Sequence, residues 1–152
     1  MKEAQHSQSG MMLIEALIAI LLFAVGILGI VGLQGTAVKQ VTEARFRSEA
    51  SMLANQLLGQ MWMSDRQSTS LFNNFTAGGA VHDKYDAWKA LVTSTLPTPQ
   101  DPTVSVNNTA NDPGEGTVTI TLFWRSPSDP SDTNDPHYVA PHRYVAIAQI
   151  KP

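Results

Sequence analysis

A nearly uninterrupted apolar block near the N-terminus constrains this 152-residue chain more than any other feature. Residues 11–33 contain 19 apolar residues in 23, and the exceptions are Glu15, Gly26, Gly29 and Gly32. As a helix that rises about 1.5 Å per residue, the block is roughly 34 Å long, enough to cross a hydrocarbon core of about 30 Å. The sequence therefore predicts a membrane-spanning helix.

Two ordinary interpretations fit such a block. A secretory signal peptide would use Lys2 as its basic residue and the small residues at 35–37 as its cleavage site, but the block exceeds the usual apolar core of about 7–15 residues. Glu15 also counts against a signal peptide, because an ionised carboxylate costs about 2.5–3.5 kcal/mol at mid-helix. A plain single-span anchor avoids much of that cost if Glu15 lies near the membrane surface.

Four glycines recur at every third position, at Gly26, Gly29, Gly32 and Gly35. On a helix of 3.6 residues per turn this spacing drifts by about 60° per repeat, so the glycines spiral around the helix. Two interpretations stay open. The glycines either allow close packing between helices in a bilayer or weaken a segment that bends or unwinds during assembly.

The start of the block has a pattern of its own. A short polar leader ends at Gly10, and Met11, Met12, Leu13, Ile14 and Glu15 follow. This arrangement resembles the N-terminal signal of the type IV pilin family, in which a glutamate is the fifth residue after the leader glycine. The family usually has Phe and Thr where Met11 and Met12 stand. The resemblance implies cleavage after Gly10 by prepilin peptidase and N-methylation of Met11.

Under this resemblance Glu15 acquires a role. Cleavage would create a cationic amine at Met11, and residues at positions i and i+4 share one helix face. A buried carboxylate needs a cationic partner. In a growing fibre that partner would be the amine of a neighbouring subunit, so Glu15 is predicted to set the register between subunits.

The residues after the block are predicted to continue the helix to about Arg66. Gln67–Gly79 is predicted to be a loop, and a short helix over Asp83–Leu96 is expected to stop before Pro97. The long helix carries an apolar stripe at steps of three and four residues, formed by Phe46, Ala50, Leu53, Leu57 and Met61.

The C-terminal part of the chain has the alternation typical of strands. Thr117–Trp124 alternates apolar residues with threonines and Phe123, and Arg143–Ile150 alternates Tyr144, Ala146, Ala148 and Ile150 against Val145, Ile147 and Gln149. Val104 and Val106 indicate a third strand. An α+β fold follows, with a small antiparallel sheet laid on a long N-terminal spine helix. In this layout the chain resembles a minor pilin of the PilV type, with a leader at 1–10, a transmembrane or fibre-core helix at 11–33 and a globular head at 34–152.

The composition excludes several kinds of chemistry. The chain has no cysteine, so it has no disulfide or thiolate metal site. It contains none of the common nucleotide-binding, hydrolase or metalloprotease motifs, and we expect no enzyme activity and no cofactor. A formal charge of −3 without a basic cluster argues against nucleic acid as a partner. His82, His137 and His142 are predicted to be surface or capping residues.

An acidic connection precedes the last strand. Asp129, Asp132 and Asp135 recur every three residues within Ser126–Pro141. Calcium binds oxygen ligands of this kind, but the spacing differs from that of an EF-hand loop. We expect a solvated, mobile connection, with a calcium site or a contact surface for a neighbouring subunit as alternatives.

The function implied by the resemblance is that of a minor pilin. Such a subunit waits in the inner membrane with its head in the periplasm and then enters a type IV pilus at the cell surface. Its implied partners are the membrane, other major and minor pilins, prepilin peptidase and the inner-membrane assembly platform. A minor pseudopilin of a type II secretion system, which shares this N-terminus, is an alternative. An uncleaved, single-span periplasmic binding or sensor protein is the alternative of another class.

Overall fold

The computed structural model describes residues 9–98 and 100–151, with side chains from Met11 onward. Contacts divide the chain into two compact units, Met1–Val41 and Thr42–Pro152. Helices precede an antiparallel sheet, which agrees with the predicted α+β layout. The elements are α1 (Ser9–Trp62), α2 (Ser68–Phe75), α3 (Asp83–Thr95), β1 (Thr103–Val106), β2 (Thr117–Trp124) and β3 (His142–Gln149).

The first unit consists of the apolar half of α1. Its large apolar side chains are 45–77% exposed. An 18-residue window of this helix has a mean hydropathy of 2.9, and it is the one described helix long and apolar enough to cross a membrane. A Cβ added at any of the four spaced glycines meets no atom within 4 Å. A side chain at these positions would therefore meet no described residue beyond the helix itself.

The second half of α1 supplies one wall of the core in the other unit. Ala50, Leu53, Leu57 and Met61 are buried, and Phe46 packs against them while partly exposed, as the stripe predicted. The helix ends at Trp62 rather than near Arg66. It ends there because the Ser64 backbone N–H and hydroxyl both donate to the Met61 carbonyl, at 3.2 and 2.9 Å, and turn the chain.

Helix α2 corrects the prediction of a loop over Gln67–Gly79. Its serines and asparagines are typical of loops, but Leu71 and Phe75 lie one turn apart and are both buried in the core. Asp65, just before the helix, accepts hydrogen bonds from the Ser70 hydroxyl at 2.6 Å and the Gln67 N–H at 3.2 Å. These two bonds hold the pKa of Asp65 below its ordinary value, and the bond from Ser70 is the larger cause.

The sheet has the strand order β1-β2-β3, with both pairs antiparallel. Its register places Val118 opposite Ala148 and Leu122 opposite Tyr144. The three predicted strands are confirmed, although β3 begins and ends one residue earlier than predicted. Gly116 precedes β2 with a φ of 77°, and a Cβ there would lie 2.0 Å from the Ile150 carbonyl oxygen, so this turn requires glycine.

The core of the head lies between the sheet and the three helices. Two buried hydrogen bonds hold α3 in place: Trp88 Nε1 donates to the Leu53 carbonyl at 3.0 Å, and the Tyr85 hydroxyl donates to the Pro102 carbonyl at 2.7 Å. Burial, the main cause, raises the pKa of the Tyr85 phenol. The sheet's buried face consists of Val104, Val106, Val118, Ile120, Leu122 and Trp124.

Candidate functional site

The N-terminal site begins at the edge of the described residues. Residues 1–8 of the predicted leader lie outside them, while Gly10 and Met11 lie in the first turn of α1. Met11 is 75% exposed. The roles of Gly10 and Met11 in cleavage and methylation stay predictions.

Glu15 lies on an otherwise apolar helix face. Together with Met11, Ile14 and Ile18 it lines a shallow hollow of about 300 Å³, because these residues are three and four positions apart. Among the described residues 9–98 and 100–151, no ion pair involves Glu15.

A second charged group lies in the head, where α1, β3 and the β2–β3 connection meet. His142 Nδ1 is 3.2 Å from Glu43 Oε1, and its Nε2 is 3.1 Å from Asp129 Oδ2. The Asp129 side chain is 1% exposed, whereas those of His142 and Glu43 are 24% and 44% exposed. The indole of Trp124 stacks on the imidazole, with ring centroids 5.7 Å apart and planes 16° from parallel.

The His142 imidazole is hydrogen-bonded through Nε2 to Asp129, and its Nδ1 lies close to the Glu43 carboxylate. The cluster therefore joins the spine helix to the end of the sheet and has no nucleophile among its members.

The acidic connection differs in part from its prediction. Asp129 is buried and bound to His142 rather than solvated. Asp132 accepts from the Asn134 N–H at 2.9 Å and Asp135 from the His137 N–H at 2.7 Å, so each stabilises its own turn. Within residues 9–98 and 100–151, no three side chains of the metal-ligating types are grouped to hold an ion.

The histidines do not all match the prediction of surface or capping residues. His137 is exposed, and His82 occupies the N-cap position of α3 with a φ of 32° and lies 2.8 Å from Asp86. His142 instead begins β3 and lies between two carboxylates. Sequence reasoning singled out Asp129 and His142 separately but missed their contact and missed Glu43, because the three residues are distant in sequence and no local pattern links them.

No protein family model, curated protein or solved structure matches this chain.

Proposed function

We propose that this protein is a minor pilin, a non-catalytic subunit that helps to assemble a type IV pilus. The observation that carries the proposal is that the two halves of α1 have different surroundings. Its first half is apolar and uncovered by the described chain, and its second half is built into the core of an α+β head. A helix of this kind can lie in a membrane before assembly and pack among like helices afterwards.

The carboxylate of Glu15 gives further support. It interrupts an apolar surface four residues after Met11, and it has no cation among the described residues. Cleavage after Gly10 would place an amine at Met11, on the same helix face. Because a carboxylate in an apolar fibre core needs a cationic partner, this pair would favour one stagger between neighbouring subunits.

Two alternatives share part of this reasoning. A minor pseudopilin of a type II secretion system would have the same processed N-terminus and the same spine helix, but would enter a different fibre. An uncleaved, single-span anchor for a periplasmic binding or sensor head would keep its leader. The state of the N-terminus therefore separates the pilin-like functions from the anchor.

The processing test uses the full chain produced in a bacterial membrane with and without prepilin peptidase. We expect the enzyme to shorten the chain to Met11 and to methylate the new amine, as measured by intact mass and by the N-terminal peptide. Gly10→Val should retain the leader, whereas Ser9→Ala, the matched control, should be processed normally. A chain that keeps Met1 in the presence of active peptidase would support the anchor instead.

A further inference from the structure

Strand β3 has one edge without a partner. The Ile150 N–H, directly after the strand, donates to the Gly116 carbonyl at 2.8 Å, so residues of even number turn their backbone groups towards β2. The N–H and C=O groups of residues 143, 145, 147 and 149 point the other way. No strand pairs with this side among residues 9–98 and 100–151. The edge is eight residues long, and its Val145 and Ile147 side chains are 43% and 70% exposed.

A shallow groove lies beside Tyr144 of the same strand. It lies between Tyr144 of β3 and the solvent side of α1, has a volume of about 720 Å³, and is lined mainly by Arg47, Ser48, Met52 and Asn55. Met52 is 60% exposed at this place. The three strands thus leave part of α1 beside Tyr144 uncovered.

Two arginines lie near one end of the groove and the edge: Arg47 lines the groove, and Arg143 is on the solvent face of β3 with Val145 and Ile147. Arg143 is the second residue of β3, and Arg47 lies one turn after Glu43, whose carboxylate contacts His142 at the beginning of the strand. Within residues 9–98 and 100–151, neither arginine belongs to an ion pair, whereas Arg45 is paired with Glu49 at 2.8 Å. Carboxylates are the groups that a planar guanidinium binds best.

We propose that the free edge of β3 binds an extended segment of a different protein, which adds a fourth strand to the sheet and places two successive carboxylates on its opposite faces, one next to Arg47 in the groove and the other next to Arg143. Backbone hydrogen bonds to the edge provide affinity, as in other cases of strand addition. Alternate side chains of the added strand contact Val145 and Ile147 on one face and enter the groove beside Met52 on the other. A row of unpaired backbone groups on a long strand is a template for such pairing.

A second copy of this chain fits the edge less well. Strand β3 contains no aspartate or glutamate, so a second copy of the strand would provide no carboxylate for Arg143.

The test uses the full chain in detergent micelles and a fluorescent strand peptide of about nine residues. The peptide alternates valine and threonine and ends in two glutamates, and its control ends in two lysines. We expect saturable binding of the glutamate peptide by fluorescence anisotropy. Ile147→Pro removes an outward N–H without touching the bonds to β2 and should weaken binding about tenfold or more, whereas Ile147→Thr keeps the N–H and should change it less than about threefold.

Charge variants test whether Arg47 and Arg143 contact carboxylates of the added strand. Arg143→Glu and Arg47→Glu should each weaken binding of the glutamate peptide, whereas Arg66→Glu, which makes the same charge change in the segment after α1, should not. Thermal unfolding confirms that each variant is folded. Equal binding by the wild-type chain and Ile147→Pro, or of the two peptides, would overturn the proposal.

Sedimentation of the chain without peptide tests the choice of partner. We expect no dimer that depends on the edge. A dimer abolished by Ile147→Pro would show that the occupant is a second copy and would overturn the assignment to a different protein. None of these measurements needs cleavage or fibre assembly. A negative result would therefore not contradict the pilin proposal, and a failure of the pilin proposal would not contradict strand addition.

Discussion

At the scale of single residues, His142 is the clearest case of a side chain whose surroundings decide its role. Its ring lies between Asp129 and Glu43 and against the indole of Trp124. Removing the imidazole takes away the hydrogen bond to Asp129, the contact with Glu43 and the stacking on Trp124, and it leaves the buried Asp129 carboxylate without its ring partner.

We therefore expect His142→Ala to lower the free energy of unfolding of the head by about 1–3 kcal/mol. Glu43→Gln should lower it by less than about 1 kcal/mol, because the Glu43 carboxylate is partly exposed and its loss leaves the bond to Asp129 intact. Denaturant titration of the full chain in detergent measures both. His137→Ala, on an exposed histidine, is the matched control, and an equal effect of His137→Ala and His142→Ala would contradict the structural role of the cluster.

The buried phenol of Tyr85 makes the stability of the head depend on pH in the alkaline range. Burial raises the pKa of its phenol, so the folded state holds the proton more tightly than the unfolded state. This contribution to stability is fully present below the pKa of the unfolded state, about 10, and is lost as the pH rises through the higher pKa of the folded state. The Lys89 ammonium adds to the same trend, since its bond to Asp101 at 2.5 Å raises its pKa.

Tyr85→Phe should thus lower stability by about 1 kcal/mol at neutral pH, because the bond to the Pro102 carbonyl is lost. Its stability should also fall less steeply than that of the wild-type chain between about pH 8 and about pH 11. Unfolding free energies at both pH values measure the difference. Tyr138→Phe, on a partly exposed tyrosine, should keep the wild-type slope, and a wild-type slope for Tyr85→Phe would refute the explanation.

At the scale of elements, periodic burial explains which predictions succeeded. The stripe on α1 and the alternation in β2 repeat over many residues, and the structure buries the predicted side chains in both, except Phe46, which is partly exposed. Helix α2 was predicted as a loop because its two buried residues, Leu71 and Phe75, are too few to show a period among serines and asparagines. Tertiary packing decided its structure, and that information is not local.

The same reasoning gives a graded test along one helix. Leu57 is fully buried in the core, and Met52 on the same helix is 60% exposed. Leu57→Ala should lower the free energy of unfolding by about 2–5 kcal/mol, since it leaves a cavity, whereas Met52→Ala should change it by no more than about 0.5 kcal/mol. Chemical unfolding in detergent measures both, and a similar loss for the two variants would mean that the predicted stripe does not face the core.

At the scale of the whole molecule, the chain combines an apolar helix of membrane-spanning length with a polar head. The apolar block and Glu15 were evident from the sequence because both are local features. The cluster of Glu43, Asp129 and His142 and the groove beside β3 were not, because each joins residues that only the fold brings together. The proposed function depends mainly on the first kind of feature.

The recovery of this chain in surface fibres sheared from its own cells tests the proposed function most directly. We expect those fibres to contain the chain beginning at N-methylated Met11, as measured by quantitative mass spectrometry of the N-terminal peptide. Glu15→Ala should reduce its amount in the fibres severalfold at an unchanged amount in the membrane, whereas Ile18→Ala, on the same helix face, should not. A chain that stays in the membrane fraction with Met1 attached, or fibre levels that do not respond to Glu15→Ala, would contradict the account.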